Sequence, residues 1–159
     1  MTGFRCQPRP GGRRAAGFSM IEVLVSLLVL ALGLLGFALL QTMNLRYTQS
    51  ADYRTHATNL AYELIDQMRA NRLSAADYAA ATFAAGSVTG GNCGRPTGAG
   101  VDVDDVIDRW QCQVVEALGT SSAADVEFDP DSGLVSVTLT WGERITTDPE
   151  TSFLVETHL

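Results

Sequence analysis

The chain has 159 residues, 46% of them hydrophobic, with 11 basic and 18 acidic side chains, enough for one domain and too apolar for disorder to be the whole answer. Every basic residue is arginine. Residues 1–17 hold four of them (Arg5, Arg9, Arg13, Arg14) and no acid, so this end carries +4 while the remaining 142 residues carry −11 against a net −7. A body that acidic repels a phosphate backbone, which sets nucleic acid aside as a partner.

After the basic leader, residues 23–45 contain no charged side chain, and residues 18–40 form a 23-residue apolar window with Glu22 as its single charge. A bilayer core needs about 20 apolar residues at about 1.5 Å rise each, so the window is long enough to span. A secretory signal has a shorter apolar region and a small-residue cleavage site after it, and Leu39-Leu40-Gln41-Thr42 offers none, so the span is expected to be retained. Arginines precede it and the first basic residue beyond it is Arg46, which predicts a cytoplasmic N-terminus and an exported body. Cys6 falls in the leader. In an exported body Cys93 and Cys112 can form a disulfide closing a loop of about 19 residues, worth about 3 kcal/mol; the other reading is two buried free thiols. Neither a C-x-x-C spacing nor a neighbouring histidine points to metal binding or redox catalysis.

The junction between leader and span reads Gly17-Phe18-Ser19-Met20-Ile21-Glu22. Gly17 lets the peptide lie extended in a narrow site that a Cβ would obstruct. Glu22 is costly in a membrane helix, about 2.5 to 3.5 kcal/mol at the bilayer centre and less near the interface, and calls for a partner. Its simpler reading is a first-turn glutamate complementing the helix dipole, worth about 0.3 to 1 kcal/mol. The string GFSMIEVLVSLLVLALGLLGF closely resembles the N-terminal signature of type IV prepilins and their relatives in type II secretion. The resemblance implies cleavage after Gly17 by a prepilin peptidase, methylation of the new Phe18 amino group, and pairing of Glu22 with a neighbouring subunit's amine as a register device for filament growth.

Proline is absent between Pro10 and Pro96, and one helix is expected over about residues 18–71, roughly 80 Å. Within it Ala57, Leu60, Ala61, Leu64, Ile65 and Met68 recur at the spacing of one helical face, with Arg54, Glu63, Asp66 and Arg69 elsewhere around the wheel. Gly33 and Gly36 either allow close helix approach or reflect the frequency of glycine in membrane helices. Residues 74–85 are alanine-rich and predict a short second helix, residues 87–100 a glycine-rich loop holding Cys93, and residues 104–117 a helix with Trp110 and Cys112. Then the period changes. Val135, Val137, Leu139 and Trp141 alternate with Ser136, Thr138 and Thr140, the pattern of a half-buried strand, preceded by the turn at residues 129–133 and a strand at 124–128; residues 152–159 predict another. The expected fold is α+β, a long N-terminal helix packed on a three- or four-stranded antiparallel meander, which is also the type IV pilin architecture. The expected divisions are a leader at residues 1–17, a transmembrane half-helix at 18–45, and an exported domain at 46–159.

Beyond the junction, LAYELIDQMRANRLSAADYAAA at residues 60–81, Asp108-Arg109-Trp110 and the strand VSVTLTWGE resemble the PilV class, the type IV pilus modification proteins. The span lacks the proline usual in major pilins, and the chain ends 47 residues after Cys112 rather than closing a C-terminal cysteine loop. These features imply a minor pilin rather than an enzyme, with no cofactor. It would prime pilus assembly and join a tip complex, and so affect adhesion and twitching motility. The implied partners are prepilin peptidase, other minor pilins and the major pilin, the inner-membrane assembly platform and the lipid bilayer. The implied location is the bacterial inner membrane, with a periplasmic C-terminal domain, followed by the extracellular pilus. Two other readings stand beside it: a type II secretion pseudopilin, and an unprocessed single-span protein with an exported binding domain.

The remaining chemical groups read as surface or core. Asp102, Asp104, Asp105 and Asp108, and separately Asp125, Glu127, Asp129 and Asp131, lack the order of an EF-hand loop and are expected to be solvated faces. His56 and His158 have no serine or cysteine in a nucleophile setting beside them, and Trp110 and Trp141 are expected in the core or at subunit contacts.

Overall fold

The computed structural model describes residues 17–91, 93–98, 100–143 and 150–159; the leader arginines and Cys6 lie outside the described residues. Helix α1 runs over Met20–Ala70. It starts just after Ser19, whose carbonyl accepts from Glu22 N at 3.1 Å and Val23 N at 3.3 Å and whose hydroxyl accepts from Ile21 N at 3.4 Å. The chain divides into two compact units, one ending at Thr42 and the other Met43–Leu159.

In the first unit every described residue is exposed, the leucines of the span included. Its hydroxyls are turned back on the helix: Ser26 Oγ donates to Val23 O at 2.8 Å and Thr42 Oγ1 to Ala38 O at 3.1 Å. Backbone and hydroxyl polarity are thereby satisfied within the segment, the condition for a helix in hydrocarbon.

In the second unit the α1 residues that are buried are Ala57, Leu60, Ala61, Leu64, Ile65 and Met68, the face expected from their spacing. The chain then forms a 3₁₀ helix, Arg72–Ala81, kinked at Ser74 (φ −109°, ψ 18°), over part of the residues 74–85 where the alanine-rich sequence predicts a short second helix. Its buried residues, Ala75, Tyr78 and Ala81, recur every three positions, and a 3₁₀ turn stacks such residues on one side. No helix or strand occurs among the described residues of 84–102, although Gly90 runs so near the next helix that a Cβ there would meet Val115 Cγ1 at 3.4 Å.

Helix α2, Val103–Leu118, opens with a capping box in which the Asp102 side chain accepts from Asp105 N at 3.1 Å and the Asp105 carboxylate accepts from Asp102 N at 3.3 Å. It buries Ile107, Trp110, Val114, Val115 and Leu118. Three antiparallel strands follow in the order β1-β2-β3: β1 Ala123–Asp129, β2 Leu134–Gly142 and β3 Glu150–His158. The β1–β2 turn is set by Asp129, whose carboxylate accepts from Asp131 N at 3.0 Å and from the Ser132 hydroxyl, and by Gly133 at φ +71°. Val135, Val137, Leu139 and Trp141 are all fully buried, as their alternation predicts. Within this unit the core joins the buried face of α1, the 3₁₀ helix, α2 and the inner face of the sheet, which is the α+β arrangement of a type IV pilin-like chain.

Candidate functional site

The junction is the strongest candidate. Gly17 and Phe18 are in irregular backbone ahead of α1, and Phe18 is 83% exposed. Among the described residues a Cβ added at Gly17 would meet nothing within 4 Å, so packing among them does not demand glycine here. Glu22 lies in the first turn of α1, exposed, with no hydrogen bond or ion pair to its side chain among the described residues. The arrangement leaves an exposed peptide and an unengaged carboxylate at the start of a helix whose first half is apolar all round. It can be cut from outside and can meet a cation from outside.

The second group pins the Met43–Leu159 unit together. Cys93 and Cys112 form a disulfide with Cα atoms 5.5 Å apart, fastening the glycine-rich loop to α2. On the neighbouring turn, Arg109 Nη2 contacts Glu63 Oε1 at 3.2 Å and the buried Trp110 Nε1 donates to Leu60 O at 2.8 Å, so Arg109 and Trp110 clamp α2 onto α1. Asp108 itself is exposed. Glu143 accepts from Trp141 Nε1 at 3.1 Å and from Ser50 Oγ at 3.1 Å, joining the end of β2 to α1; the sequence carries no local signal for this contact.

The other candidates separate into local roles. Asp102 and Asp105 cap α2, while Asp125, Glu127 and Asp129 lie on the exposed face of β1. The Asp129 carboxyl is held below the usual carboxylate range by the Ser132 hydroxyl first and the Asp131 amide second. His56 Nε2 lies 3.7 Å from Asp52 on exposed helix, and His158 Nδ1 lies 3.2 Å from Ser132 O. Among the described residues no group of three or more His, Cys, Asp or Glu side chains could hold a metal ion. Among the described residues a Cβ added at Gly33 or Gly36 would meet nothing within 4 Å.

Residues 12–38 match the family model described as the prokaryotic N-terminal methylation motif. No curated protein and no solved structure matches the chain. The matched motif supports a type IV pilin or pseudopilin, a structural class rather than a catalytic one, and implies processing by prepilin peptidase and assembly with other pilins.

Proposed function

We propose that this chain is a minor pilin of the type IV pilus, of the PilV class, matured by cleavage between Gly17 and Phe18 and methylation of the Phe18 amine. Residues 18–45 hold it in the inner membrane with residues 46–159 in the periplasm, until the assembly platform moves it into the filament. There it primes assembly and joins a tip complex, through which it influences adhesion and twitching motility. The observation that carries this reading is the junction: an exposed glycine with no described residue packed against it, followed by a lone carboxylate in the first turn of an otherwise uncharged span.

The physical step is packing with one electrostatic contact. After cleavage the Phe18 α-amino group is a cation near neutral pH, with a reference pKa of about 7.7 to 8.0, and a methyl group leaves that charge in place. In the apolar interior of a helix bundle the Glu22 carboxylate is destabilised unless a cation meets it, and a helix out of register leaves both charges unpaired. The pair therefore selects one axial register between neighbouring α1 helices.

Intact mass of the chain recovered from pili tests the proposal. A chain beginning at methylated Phe18 is expected, and a chain beginning at Met1 overturns it. Gly17→Ala is expected to block maturation. Glu22→Ala is expected to be cut yet depleted from pili, and normal pilus content of that variant removes the register role. Recovery of the mature chain from a secretion-system filament instead of pili would make it a pseudopilin.

A further inference from the structure

The two edges of the sheet are treated differently. On the β1 side the chain covers its own edge: Phe83 and Ala124 exchange both backbone hydrogen bonds, at 2.9 and 3.0 Å, and Thr82 Oγ1 accepts from Val126 N at 2.9 Å while donating to Val126 O at 3.3 Å. A threonine hydroxyl there stands in for a missing strand. On the β3 side no such cover occurs among the described residues.

The direction of the free groups follows from the register. Leu134 pairs with His158, and Leu159 N donates to Gly133 O at 3.0 Å, so the odd-numbered residues of β3 bond to β2. Ser152, Leu154, Glu156 and His158 then direct their N–H and C=O groups to the open edge, and their side chains lie on the exposed face, with Leu154 at 55% exposure. Strand β3 is nine residues long and contains no proline, glycine, lysine or arginine. Proline, lysine and a bulge, which commonly blunt an edge, are absent from it, and its only acidic residues are Glu150 and Glu156.

We propose that the open edge of β3 docks a second copy of this chain, the two β3 strands pairing antiparallel about a two-fold axis at Leu154. That register overlaps all of Glu150–His158 with itself and lets every outward N–H and C=O in the overlap find a partner. It puts Leu154 against the partner's Leu154 and Ser152 against the partner's Glu156, where the hydroxyl can donate to the carboxylate. On the inner face it opposes Phe153 to the partner's Val155 and Thr151 to the partner's Thr157, both favourable cross-strand pairs. Sliding the partner so that Glu156 faces its own copy opposes two like charges and shortens the overlap, so both charge and length select the register centred on Leu154. The proposal stands on the sheet alone and does not depend on the fate of the leader.

The test uses the full chain in membranes, in a Cys6→Ser background, with single cysteines on the exposed face. In the proposed dimer a residue at 154 faces itself across about 5.5 Å between Cα atoms, within disulfide reach, whereas residue 152 or residue 156 lies four positions from its own copy, about 14 Å along the strand. Under mild oxidant Leu154→Cys is expected to give a covalent dimer, Ser152→Cys alone and Glu156→Cys alone to stay monomeric, and the last two co-expressed to cross-link to each other. A monomeric Leu154→Cys chain, or cross-linking of Ser152→Cys alone as readily as Leu154→Cys, overturns the proposal. Leu154→Pro supplies a second readout, because the N–H it removes makes no bond within the chain. Sedimentation in detergent should find the native chain dimerising and the proline variant dimerising with a Kd roughly thirtyfold higher, from two lost hydrogen bonds per dimer. A native chain that stays monomeric, or a proline variant that dimerises as well as the native chain, also overturns it.

Discussion

Helix α1 carries two apolar stretches that differ in pattern more than in hydrophobicity. Before Thr42 the leucines recur all round the helix and stay exposed, with Leu24, Leu28, Leu32 and Leu35 between 61% and 68%. In the last part of the helix an apolar stripe is buried on one face, with Ala57, Leu60, Ala61, Leu64, Ile65 and Met68 at 7% or less. A one-sided stripe can be satisfied by its own domain, whereas an all-round surface needs an apolar surrounding from elsewhere, lipid or other helices. The same residue type therefore has opposite roles in the two parts of one helix.

Matched truncations put that difference to the largest test. Leu64→Ala is expected to destabilise the Met43–Leu159 unit by about 2 to 5 kcal/mol through lost burial and a cavity, while Leu34→Ala leaves its stability within about 0.5 kcal/mol. Both tryptophans, Trp110 and Trp141, are buried in that unit, so their fluorescence during urea unfolding reports on it and not on the span. Equal loss from the two variants would erase the distinction. Next in size is the cross-link: Cys112→Ser is expected to remove about 3 kcal/mol or less from the same transition, and to leave membrane retention, measured by alkaline extraction, unchanged. Smaller again is Trp110→Phe, which keeps most of the buried ring and loses the bond to Leu60 O, for about 1 kcal/mol in the same titration.

Which features could be read in advance follows from how locally each is encoded. The period of 3.6 in α1 and the period of 2 in β2 are local, and the burial of Leu64 or Leu139 follows from them directly. The junction is also local, since Gly17 to Glu22 lie within six consecutive residues. The 3₁₀ helix was harder, because alanine favours any helix and does not by itself select the tighter turn of Arg72–Ala81. Glu63 with Arg109, and Ser50 with Glu143, join residues 46 and 93 positions apart, and nothing near either partner announces the other. The open β3 edge likewise emerges only once strand order and register are known.

The smallest expected effect concerns the turn that sets the register between β1 and β2. Asp129 is fully exposed, so burial has little to do with its lowered pKa; the Ser132 hydroxyl and the Asp131 amide stabilise the carboxylate by donating to it. A carboxyl depressed in the folded state contributes stability that is fully present above its unfolded pKa and is lost as pH falls through its lower folded value. Ser132→Ala removes the larger of the two donors. By NMR titration the Asp129 pKa is expected to rise toward the ordinary carboxylate value while the span remains unaffected, and the acid side of the stability profile should flatten slightly. An unchanged Asp129 titration in Ser132→Ala would assign the shift to the amide alone. The turn would then be held by backbone geometry, through Gly133 N donating to Asp129 O at 2.8 Å, rather than by the serine.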